Sequence, residues 1–121
     1  MAGISAMPWA DAYTATKGAV VALTRSWATD YSRYGIRVNC VCPGATDTGM
    51  MAGILDEFDE HHRMATPQQR FATRAEIAAV IAFAVSPSAT YLSGAIIPVD
   101  GGATANTAGL PFPARRPRAN P

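Results

Sequence analysis

Apolar side chains recur at Val20, Leu23, Trp27, Ala28 and Tyr31, inside an Ala- and Thr-rich stretch without internal proline. That spacing is helical and predicts one helix from about Ala12 to Tyr34. Gly35 follows, a residue able to take the left-handed conformation that closes a helix. Gly18 is either the weak point of this helix or a mark of close approach by another backbone or a ligand. Next comes Ile36-Arg37-Val38-Asn39-Cys40-Val41-Cys42, short, rich in β-branched residues and stopped by Pro43-Gly44. It reads as a buried strand. From Gly44 to Thr66 the pattern is less regular. Met50, Met51, Ile54, Leu55 and Phe58 fit one face of an amphipathic helix, and Asp56, Glu57, Asp59, Glu60, His61, His62 and Arg63 then make its wet face.

Thr73-Arg74-Ala75-Glu76 has the form of a capping box. Ile77, Val80, Ile81 and Ala84 continue as an i, i+3, i+4, i+7 stripe, which Ser86-Pro87 stops. Gly94 to Val99 reads as a second strand. Pro98 lacks an N–H and favours an edge. Asp100-Gly101-Gly102 makes a turn. Residues 105–121 read as a flexible Pro/Arg-rich tail, with Pro111, Pro113, Pro117 and Pro121 among Arg115, Arg116 and Arg118. The order is helix, strand, helix, helix, strand. Two strands joined by helices belong to a parallel α/β sheet, and a mean sheet has about five or six strands, so this is a portion of one.

Composition narrows the function classes. The chain has 121 residues, 49% hydrophobic, 16% charged, with a net charge of +1. A near-neutral balance offers no field for nucleic acid or an acidic membrane surface. No stretch is apolar enough to span a bilayer, and the first residues lack the basic-then-apolar order of a signal peptide, so a cytoplasmic location is expected. Cys40 and Cys42 would point to one face of a strand, with Cα atoms about 6.5–7 Å apart, at the limit for a disulfide. They read as buried free thiols. No metal site is expected: two thiols fall short of the usual four zinc ligands, and adjacent His61 and His62 leave a helix about 100° apart.

The chemistry concentrates in Tyr13-Thr14-Ala15-Thr16-Lys17. Residues four apart leave the same face of a helix. A phenol beside an ammonium is an acid/base device. A free phenol titrates near 10 and general acid/base catalysis works best near 7, a gap of about 4 kcal/mol. A cation about 4 Å away is worth about 4 kcal/mol at an effective dielectric near 20, which is the size required.

These blocks together resemble the short-chain dehydrogenase/reductase family, in its C-terminal half. Tyr13-x-x-x-Lys17 is similar to the family's active-site pair. Gly35-Ile36-Arg37-Val38-Asn39-Cys40-Val41-Cys42-Pro43-Gly44 is similar to its strand running into a Pro-Gly turn, and Gly94 to Gly102 to its closing strand and Val-Asp-Gly-Gly ending. The resemblance spans residues 1–104, taken as a partial domain. It implies the last two strands and about three helices of a doubly wound, Rossmann-like parallel sheet.

It also implies an NAD- or NADP-dependent oxidoreductase acting on a small alcohol or carbonyl, in a homo-oligomer. Tyr13 would be the general acid/base, and Lys17 the cation that favours its phenolate and binds the nicotinamide ribose. Pro43, Gly44, Thr46 and Thr48 would contact the nicotinamide end. The family's Gly-rich pyrophosphate turn has no match here. Its catalytic Ser would fall immediately before Met1, and Ser5 stands at the wrong spacing to replace it. The alternative expectation is therefore a catalytically inactive fragment, acting at most as an oligomerisation or interaction module.

Overall fold

The computed structural model describes residues 1–6, 9–49 and 66–105. Helix α1 spans Asp11–Tyr31. Three of its four threonines are reconciled with the helix by bonding backwards along it: the hydroxyls of Thr16, Thr24 and Thr29 donate to the carbonyls of Tyr13, Val20 and Arg25. A 3₁₀ turn, Ser32–Tyr34, follows, and Gly35 closes it at φ 73° with its N–H on Ser32 O at 2.9 Å. The expected helix is thus present, with a tightened last turn.

The buried face of α1 differs from the expected one. Val20, Leu23, Trp27 and Tyr31 are all exposed, and the buried residues are Val21 and Thr24. Gly18 and Ala28 lie along that second face, half-buried. Small side chains let the helix backbone approach the sheet, and the large ones are left on the far side. Gly18 itself has nothing within 4 Å of where a Cβ would stand, so no close approach requires it among the described residues.

Strand β1, Cys40–Pro43, pairs in parallel with β2, Ile96–Val99, in the register Cys40↔Ile96 to Pro43↔Val99. Both are shorter than the sequence pattern predicts because side chains take over the ladder at their starts. Asn39 accepts from Ala95 N–H with Oδ1 and donates to Leu92 O with Nδ2. Val38 N–H is bound by the Ser93 hydroxyl, and Gly94, at φ 75°, donates to Val38 O. Cys40 N donates to Ala95 O and Gly44 N to Val99 O, so residues 95, 97 and 99 present their backbone groups to β1. Ile96 and Pro98 therefore face the outer edge, where the missing N–H of Pro98 breaks no bond to β1.

Helix α2, Arg74–Val85, begins with the predicted capping box. Thr73 Oγ accepts from Glu76 N–H, and the Glu76 carboxylate accepts from Thr73 N–H. Ile77 and Ala84 are buried, whereas Ile81 is exposed, because two four-residue strands cover only part of the stripe. Arg37 ties the far end of α2 to the sheet, donating to the carbonyls of Ala84, Leu92 and Ser86.

Both helices contact β1. Val41 lines a cavity with Ile81, Ala84 and Val85 of α2. By strand alternation Cys40 and Cys42 face the other way, toward α1. The buried apolar residues are Ala2, Val21, Cys42, Ile77, Ala84 and Ala89, and no large side chain among the described residues is fully buried. No helix among them is long and apolar enough to cross a membrane. The expected helix over Met50–Phe58, His61 with His62, and nearly all of the tail lie outside the described residues.

Candidate active site

Tyr13 and Lys17 occupy the first turns of α1. The Lys17 ammonium sits over the Tyr13 ring, 5.4 Å from its centroid, a cation–π arrangement. The Tyr13 side chain is accessible, its residue 51% exposed. The segment ahead of α1 lies tight against it: a Cβ on Gly3 would stand 2.5 Å from Lys17 O. The Met1 ammonium reaches across to Pro43 O at 2.9 Å, so this segment bridges α1 and the end of β1. Thr14 Oγ is a buried polar atom with no hydrogen-bond partner among the described residues.

Pro43 and Gly44 end β1 beside the turn after β2. A Cβ on Gly44 would come within 2.7 Å of Asp100 Cα, so only glycine lets the two turns meet at this distance. Beyond them the chain is held by a short parallel bridge, Thr46↔Ala72, with Asp47 N bonded to Ala72 O and Ala72 N to Ala45 O, both at 2.9 Å. The Thr46 hydroxyl donates to Gly44 O at 3.0 Å. Burial raises the Asp100 carboxyl's pKa, but hydrogen bonds from the Thr104 hydroxyl and from the N–H groups of Thr104 and Gly102 outweigh it and hold the group below its usual range.

Tyr13, Lys17, Pro43, Gly44, Thr46 and Thr48 all line one cavity of about 620 Å³. It runs along β1 from Cys40 to Gly44, on the edge left unpaired among the described residues, takes walls from both helices, and reaches past the carboxyl end of the strand, the end at which open α/β sheets bind ligands. Three further elements line it that the sequence reading did not assign to the site: the Met1–Gly3 segment, Arg74 at the start of α2, and the thiol pair of Cys40 and Cys42. Arg74 was legible in principle, since it directly follows the Thr73 cap, and Met1–Gly3 through the family resemblance, which puts it directly after the position of the catalytic Ser.

A family model described as enoyl-(acyl carrier protein) reductase matches residues 1–104. Levodione reductase from Leifsonia aquatica is 42% identical over 101 residues, covering 77% of this chain and 38% of its own length. Meso-2,3-butanediol dehydrogenase from Serratia marcescens is 47% identical over 98 residues, covering 78% and 38%. Among solved structures, a putative 2-deoxy-d-gluconate 3-dehydrogenase from Agrobacterium tumefaciens with bound NADP superposes with a TM-score of 0.75 at 32% identity, covering 78% of this chain and 39% of that one. The chain belongs to the short-chain dehydrogenase/reductase family of oxidoreductases. Its two parallel strands and flanking helices are a portion of that family's Rossmann-like sheet. It spans less than half the length of these curated relatives.

Proposed function

We propose that this chain carries the proton-transfer half of an NAD(P)-dependent oxidoreductase that interconverts a small alcohol and its carbonyl compound. The observation that carries this reading is the convergence of Tyr13, Lys17, Pro43, Gly44, Thr46 and Thr48 on one cavity that runs along β1 and past its carboxyl end. That cavity would take the nicotinamide end of a dinucleotide, with the close Gly44–Asp100 approach fixing the turn at its rim. The bound nicotinamide supplies or takes the hydride. Tyr13 passes the proton to or from the substrate oxygen. Lys17, over the phenol face, stands ready for the ribose hydroxyls. Thr48 borders the same space.

The pyrophosphate-binding turn of the family matches no part of the sequence, so the test supplies one. The N-terminal part of meso-2,3-butanediol dehydrogenase, joined ahead of Met1, should restore NADH or NADPH oxidation with a diketone or ketone. Tyr13→Phe in that chimera should lower kcat by about 10²–10⁴-fold, the usual contribution of a general acid/base. Retention of kcat in Tyr13→Phe would remove Tyr13 from the chemistry.

A second reading, a non-catalytic interaction module, is favoured by the unpaired edge of β1 and by the exposed stripe Val20, Leu23, Trp27 and Tyr31 on α1. That stripe also supports self-association through α1, which light scattering of the wild type and of Trp27→Glu measures. Titrating NADH and NADPH onto the 121-residue chain separates the readings. Saturable micromolar binding supports the enzyme half acting alone, and its absence with self-association intact supports the module.

A further inference from the structure

We propose that Cys40 and Cys42 form a two-thiol chelating site for a soft, thiophilic Lewis acid of the trivalent arsenic class. Both cysteines are free, their sulfurs lie 3.6 Å apart, and both line the large cavity. Strand alternation puts them on one face of β1 with Val41 on the other. Two sulfurs bound at about 2.3 Å to one centre, at angles from the pyramidal (about 95°) to the tetrahedral, stand about 3.4–3.8 Å apart, so the strand already holds the bite that chelation needs. Bonds on either side of the pair keep the backbone extended: Cys40 N to Ala95 O at 2.9 Å and Gly44 N to Val99 O at 3.0 Å.

That same rigidity disfavours the competing chemistry. A disulfide needs sulfurs about 2.05 Å apart and Cα atoms within about 6.8 Å, while a two-residue step of strand spans about 6.5–7 Å. Closing it would require distorting the ladder. A closed zinc site would require two more ligands. Among the described residues no group of three or more His, Cys, Asp or Glu stands together to provide them. An organoarsenic(III) centre brings its own third ligand as a carbon substituent and asks the protein for two sulfurs only.

Burial pushes the Cys42 thiol up, and its contact with Cys40 adds to the effect. Cys42 therefore waits as a neutral thiol, and binding takes the proton from each sulfur. With an arsine oxide the step balances without redox change. Two As–S bonds form, the arsenic–oxygen double bond and both S–H bonds break, and the oxygen leaves as water carrying the two thiol protons.

Phenylarsine oxide is the probe, added to the folded 121-residue chain and followed by intact mass. The expected product is one adduct per chain, retained against excess glutathione and removed by 2,3-dimercaptopropanol. The decisive comparison needs no substitution. Half-removal from the folded chain should take about tenfold more dithiol than from the guanidinium-unfolded chain, because the strand pays the ordering cost in advance. Cys40→Ser and Cys42→Ser should each lose the adduct's resistance to glutathione, with the far-ultraviolet circular dichroism of each variant checked against wild type. Equal retention by folded and unfolded chains, or an adduct that glutathione strips from wild type as fast as from the single variants, overturns the proposal.

Discussion

Gly44→Ala isolates one contact on which the site's geometry depends. Gly44 does not occupy the left-handed region, so alanine is allowed there by its backbone. By itself that would stabilise the fold by about 0.4–1 kcal/mol through the unfolded chain. The opposing effect is steric. The new Cβ would stand 2.7 Å from Asp100 Cα, 3.0 Å from its Cβ and 3.3 Å from its carbonyl carbon. These atoms cannot rotate away. Asp100 is anchored by Gly102 N–H, Thr104 N–H and the Thr104 hydroxyl, and Gly44 by its bond to Val99 O. Overpacking against such atoms costs about 1–3 kcal/mol, which leaves a net loss of about 1–2 kcal/mol. With a urea m-value near 1–2 kcal/mol/M for a chain of this size, the midpoint should fall by about 1 M. Urea unfolding followed by the helical circular dichroism signal measures it. An unchanged or raised midpoint at unchanged m would refute the reasoning that Gly44 is required by the approach of the two turns.

Gly18→Ala is the converse case: a helix-interior glycine with open space around it should gain about 0.5–1 kcal/mol in the same assay. Thr73→Ala removes the side-chain acceptor of the capping box and should cost about 1 kcal/mol, visible as a lower urea midpoint. Glu76 is held at about 2, first by its hydrogen bonds from Arg70 and then by those from Thr73. Its folded pKa lies below its unfolded value of 4.5, so its contribution is full above pH 4.5 and fades as pH falls through about 2. The midpoint difference between wild type and Glu76→Gln should shrink over that window, and a constant difference would contradict the assignment. Arg37→Met takes the donor from Ala84 O, while Leu92 O keeps Asn39 Nδ2 and Ser86 O keeps Ala89 N–H, and should cost about 1–2 kcal/mol, with faster hydrogen exchange at the end of α2.

Local signals carried much of the architecture. The Thr73–Glu76 box, the Gly35 cap and the Asp100-Gly101-Gly102 turn depend on residues within a few positions of one another, and each takes its expected form. So does the parallel pairing of two β-branched runs separated by helix. The candidate site was legible as spacing, since Tyr13 and Lys17 must share a helix face wherever that helix lies.

What sequence pattern alone left undecided concerns surfaces meeting at long range. Helical spacing picked out Val20, Leu23, Trp27, Ala28 and Tyr31 along α1, of which only Ala28 is half-buried. Packing selected Val21 and Thr24, flanked by Gly18 and Ala28, because close helix–sheet approach depends on small side chains as much as on apolar ones. Strand ends were likewise decided by distant partners, with Asn39 and Ser93 substituting side-chain bonds for ladder bonds. The chain's own order of residues determined the helices, caps, turns and catalytic-type pair, all set by local geometry. Only the tertiary structure decided that Met1–Gly3, Arg74 and the two thiols share a cavity with that pair, because such proximity follows from how the elements pack.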